Sequence, residues 1–165
     1  MDASAISQII FLIILLILSA FFSSAETALT TVNKIRMRTL ADDGNKRAEQ
    51  VLRITDDSHK MLSAILIGNN IVNLSASSLA TTLAIKLWGS VGAGIATGIL
   101  TFLILVFGEI SPKTFATLYA DQISIAYSGI IGFLMKILTP VIFLVNQFSM
   151  GFLFLLHVDP KANNN

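Results

Sequence analysis

The sequence predicts an all-α membrane protein with three spanning helices, and three observations predict it. Of its 165 residues, 54% are hydrophobic and 13% charged, against about 25% charged in a typical soluble domain, and its mean hydropathy is +0.76. Its apolar runs reach the ~20 residues a helix needs to cross a ~30 Å hydrocarbon core. Finally, seven of the eleven basic residues lie between Lys34 and Lys60, which marks that stretch as a cytoplasmic connection by the positive-inside rule.

The first span is predicted at about 6–30. Ile6 to Phe22 is apolar except for Ser7, Gln8 and Ser19, and the helical pattern continues through Ser23-Ser24-Ala25-Glu26-Thr27 into Ala28-Leu29. A cleaved secretory signal is excluded by the absence of a basic residue in Met1-Asp2-Ala3-Ser4 and by the length of the apolar run. Any one of these serines can bond back to its own helix; alternatively its hydroxyl bonds across helices or offers an oxygen to a cation. Segment 34–60 mixes its basic residues with Asp42, Asp43, Glu49, Asp56 and Asp57. Leu40, Ala48, Val51, Leu52 and Ile54 predict a short amphipathic helix at the lipid headgroups after an Asp42-Asp43-Gly44-Asn45 turn. This orientation leaves the N-terminus outside.

The second span, 61–87, has a polar interior: Gly68-Asn69-Asn70-Ile71-Val72-Asn73-Leu74-Ser75, then Ser77, Ser78, Thr81 and Thr82. Asn69 and Asn73 are i, i+4 and share a face, with Asn70 flanking. Three amides inside a membrane helix either glue helices together or line a cavity. A short Lys86-Leu87-Trp88-Gly89-Ser90 turn makes the third span, 91–111, the antiparallel neighbour of the second. Gly94 and Gly98 form a small-xxx-small pair that permits close packing within the bundle or across a dimer.

That third span ends in Val106-Phe-Gly-Glu-Ile-Ser-Pro-Lys113. A carboxylate at the edge of an embedded helix costs several kcal/mol and is by default a functional-site candidate. Pro112 lacks a backbone donor and disfavours the helical conformation at Ser111, freeing carbonyls of the preceding turn. A carboxylate with freed carbonyls suits a hard cation. The alternative is that Glu109 lies outside the membrane and pairs with Lys113 at i+4.

Ile123 to Val158 is too long for one straight span: at ~1.5 Å per residue it would reach roughly 54 Å. Thr139-Pro140 near its middle makes it either an overlong kinked span or two shorter helices in a re-entrant or interfacial hairpin. Lys136, Asn146 and Gln147 favour the hairpin, which keeps the C-terminus cytoplasmic. With no cysteine, disulfides, iron–sulfur clusters and Cys-ligated zinc are excluded. His59 and His157 are too far apart in the pattern to hold a catalytic metal or activate a nucleophile, so no enzyme is predicted. The net charge of +1 gives no reason to expect a nucleic-acid partner.

Three ordered motifs, Phe22-Ser23-Ser24-Ala25-Glu26-Thr27-Ala28-Leu29, Gly68-Asn69-Asn70-Ile71-Val72-Asn73 and Phe107-Gly108-Glu109-Ile110-Ser111-Pro112-Lys113, resemble the transmembrane (DUF21) domain of CorC and cyclin-M (CNNM) magnesium transporters. The resemblance covers about 6–158. It implies a homodimer with three spans per subunit in 1–120, a cytoplasmic-side juxtamembrane helical hairpin or belt in 121–159, and a tail in 160–165. It implies a multi-pass protein of the inner or plasma membrane, exporting Mg²⁺ with Na⁺ as the exchanged ion. The ion site it implies comprises Ser23, Asn69 or Asn70 with Asn73, Glu109, and backbone carbonyls near Gly108, with Glu26 and Ser24 beside it. Family members continue into cytoplasmic CBS domains that bind ATP, so an isolated membrane domain without that site is expected. The alternative function is a scaffold that anchors such a nucleotide-sensing module, with the polar residues acting as glue.

Overall fold

The computed structural model describes residues 3–157, and among these every regular element is helical. Three helices are long and apolar enough to cross a membrane: α1 (Ala3–Thr31), α4 (Ser58–Trp88) and the run Ser90–Leu118. The third is built from α5 (Ser90–Leu103), a π-helical segment (Ile104–Ile110) and α6 (Ser111–Leu118). Met1-Asp2, Val158 and the predicted tail 160–165 lie outside the described residues.

Helix α1 lies at the centre, packed on α4, on the π segment, on α6 and on α7 (Ala120–Ile137). Its small and apolar residues Leu15, Ser19, Phe22, Ser23, Ala25, Ala28 and Leu29 are buried, whereas Ile10, Ile13, Ile14 and Ile17 face outward, as lipid requires. Ile9 and Leu12 share a cavity with Leu83, Ala84 and Leu87, so α1 and α4 run antiparallel.

Segment 34–60 folds as two helices rather than one. Asn33 caps α2 (Lys34–Asp42) by accepting from the Arg36 N–H at 3.1 Å. Asn45 caps α3 (Lys46–Asp56) by accepting from the N–H groups of Arg47 and Ala48. Between them Gly44 takes a φ of +96°, a left-handed conformation open to glycine at little cost. Ala48, Val51, Ile54 and Thr55 are buried on one face of α3, which packs on α7. Asp121, in the first turn of α7, accepts from the Asn33 N–H at 3.0 Å and pairs with Arg36 at 2.9 Å.

The close approach between the second and third spans is made by Gly92, and among the described residues the Gly94 and Gly98 pair packs on no other helix of the same chain. A Cβ on Gly92 would lie 2.8 Å from the Ala84 carbonyl oxygen, whereas nothing within the chain comes within 4 Å of one on Gly94 or Gly98. Helix α7 and α8 (Thr139–Leu155) neither continue straight nor fold back antiparallel; they bend by 64° at Leu138, with Pro140 in the first turn of α8. Helix α8 packs sparsely and exposes Phe143, Phe148, Phe152 and Phe154.

Candidate ion site

The third span does not break at Pro112. Ser111 stays right-handed helical (φ −64°, ψ −45°), and its N–H donates to the Val106 carbonyl, a five-residue return that defines the π turn. The expectation of a non-helical Ser111 is therefore corrected. A proline ring ordinarily collides with the carbonyl one turn back; the wider π turn makes room for it, and Pro112 takes its place at the start of α6. Its missing N–H still leaves the carbonyls of Phe107 and Gly108 without that donor.

At this turn α1 and the third span come closest. A Cβ on Gly108 would lie 2.8 Å from Ser19 Oγ, so the glycine lets the hydroxyl lie directly against the turn. On the same flank of α1 and one turn further on, the Phe22 ring fills the space where a Gly68 side chain would stand, 2.6 Å from its ideal Cβ. Since α1 and α4 are antiparallel, that contact sets Ser19, one turn back, level with Ile71, at a depth between Asn69 and Asn73, and Ser23 level with Ile67. Two turns of α1 thus bring the α4 asparagines and the π segment to one depth.

The polar atoms at this depth are under-satisfied. Ser24 bonds back to the Phe21 carbonyl at 3.0 Å, but Ser19 Oγ and Ser23 Oγ are buried without any hydrogen-bond partner. Asn73 Nδ2 donates to Asn69 Oδ1 at 3.5 Å, a long contact, and Asn73 Oδ1 is likewise buried and unpartnered. A buried polar group left without a partner costs about 1–3 kcal/mol. A hard cation taking hydroxyl, amide and carboxylate oxygens would relieve that cost.

The remaining residues divide. Gly108 is buried and Glu109 half-buried beside it, whereas Asn70 is exposed on another face of α4. Among the described residues the one ion pair is Arg36–Asp121, so Glu109 is not engaged by Lys113. Glu26 is half-buried one turn beyond Ser23. No cluster of three or more His, Cys, Asp or Glu exists among the described residues, so an ion here would be held mainly by neutral oxygens. Sequence reasoning read Ser19 only as an interruption of an apolar run; its i, i+4 spacing to Ser23 was the available signal.

The family model described as the cyclin M transmembrane N-terminal domain matches residues 10–165. A UPF0053 protein of Haemophilus influenzae is 46% identical over 150 residues, covering 90% of this chain and 36% of its own. The UPF0053 inner membrane protein YfjD of Escherichia coli is 41% identical over 132 residues, covering 80% and 31%. The chain therefore spans about a third of the length of these relatives. More distantly, a polyamine export protein of Haemophilus influenzae is 25% identical over 164 residues, covering 92% and 38%.

Proposed function

Because the chain belongs to the cyclin M transmembrane N-terminal domain family, we propose that it exports Mg²⁺ across the cell membrane, in exchange for Na⁺, by alternating access. Three buried oxygens without hydrogen-bond partners, Ser19 Oγ, Ser23 Oγ and Asn73 Oδ1, carry this proposal. Mg²⁺ takes six oxygens; the hydroxyls, the Asn73 and Asn69 amides, the Glu109 carboxylate and the carbonyls near Gly108 supply the right type. One carboxylate among neutral ligands binds weakly enough to release the ion. In this reading α2 and α3 are cytoplasmic and the N-terminus is outside.

The working unit is a homodimer. Asn70, Ser77 and Thr81 lie on one face of α4 at i, i+7 and i+11, and Asn70 and Ser77 are exposed. Polar groups are costly against lipid, and a second subunit would cover them. The polyamine export protein makes an organic polycation the competing cargo. An extended polyammonium needs carboxylates spaced along its length, while the three spans carry only Glu26 and Glu109, which favours a compact ion.

Thermal unfolding of the detergent-solubilised protein, titrated with Mg²⁺, Na⁺ and spermidine, tests the proposal. A ligand that binds only the folded form stabilises it by about 2.7 kcal/mol at a hundredfold excess over Kd. Mg²⁺ should raise the unfolding temperature of the wild type and not of Asn73→Ala. A response to spermidine alone would transfer the site to polyamines, and no response into the tens of millimolar would leave the scaffold function.

A further inference from the structure

A cavity of about 320 Å³ opens between α3, the first turn of α4 and α7, away from the ion site. Arg53, Lys60 and Lys136 line it against a single carboxylate, Asp57. None of the three is ion-paired among the described residues. Three cations that share one cleft with a single carboxylate leave an excess of positive charge, and an anion bound among them would relieve their mutual repulsion. Its wall is cleared by Gly132, whose ideal Cβ would lie 3.2 Å from Gln50 Nε2 and 3.6 Å from Ile54 Cγ2. A larger residue there would narrow the cleft.

The depth of the cleft and its rim identify the anion. Lys60 stands in the first turn of the spanning helix α4, so the cleft opens where the hydrocarbon core gives way to headgroups. The uncapped N-terminus of that helix adds positive potential. Phe133 belongs to the lining, and with Ile130 and Ile137 it forms an i, i+3, i+7 stripe on α7 in which each residue is more than half exposed. A cationic pocket continuous with an exposed apolar stripe matches an amphiphile, and a free phosphate would use only the first of the two. We propose that this cleft binds the phosphate-bearing headgroup of an anionic phospholipid, with its acyl chains lying along Ile130, Phe133 and Ile137.

Native mass spectrometry of the delipidated chain in detergent tests this, with phosphatidylglycerol and phosphatidylcholine of identical chains as probes and inorganic phosphate as competitor. Phosphatidylglycerol should bind at least tenfold more tightly than phosphatidylcholine. Arg53→Gln combined with Lys136→Gln, both at exposed positions, should abolish that preference while leaving the helical circular dichroism unchanged; Lys136→Glu alone should weaken it. Equal binding of the two lipids, or a preference that survives the double substitution, would overturn the assignment. Displacement of phosphatidylglycerol by millimolar phosphate would overturn it as well, by showing that the apolar stripe contributes nothing.

Discussion

At the scale of single residues, two glycines decide how near α1 can come to its neighbours, and each yields a prediction. Gly68→Ala drives a methyl into the Phe22 ring, 2.6 Å from the ideal Cβ. Overpacking of this kind costs typically about 1–3 kcal/mol, read as a lower unfolding temperature whether or not an ion is present. Gly108→Ala meets the smaller Ser19 Oγ at 2.8 Å, and a hydroxyl can rotate away. Its stability cost should therefore be about 1 kcal/mol or less, while the Mg²⁺ response falls because the serine no longer points at the site. Ser19→Ala should remove the same response and raise ion-free stability, since deleting an unpartnered buried hydroxyl removes its desolvation cost. A stability gain together with a retained Mg²⁺ response would assign Ser19 to packing alone.

Among the helices, the third span is the element whose geometry departs furthest from its sequence expectation. A proline three residues after Glu109 reads as a helix end, yet the chain absorbs it by widening one turn and continuing to Leu118. Pro112→Ala restores a donor and removes the reason for the wide turn. Infrared or hydrogen-exchange measurements should then show tighter amides across Ile104–Ile110, and the Mg²⁺-dependent rise in unfolding temperature should shrink as the restored N–H occupies a carbonyl of that turn. Both readouts unchanged would show that the π turn is set by packing on α1 and not by the proline. The bend between α7 and α8 follows a simpler rule, a proline in the first turn of the second helix, and was legible for that reason.

Across the whole molecule, the three spans were legible because lipid forces a long uncharged run at each of them, with the basic segment between the first two. The polar positions could be found for the same reason, since amides and carboxylates are conspicuous in apolar sequence. Their facing was less accessible: Asn69 and Asn70 are neighbours in sequence, and only the folded chain shows the first half-buried and bonded to Asn73 while the second is exposed. Ser19 was hidden because one hydroxyl in an apolar run is ordinary, and what distinguishes it is a glycine about ninety positions later. The Asp121 clamp was equally invisible, a contact between residues 88 apart. By holding both the Asn33 backbone and the Arg36 side chain, a single carboxylate staples the start of α7 to the joint between α1 and α2, so two stretches of chain far apart in sequence share one anchor point.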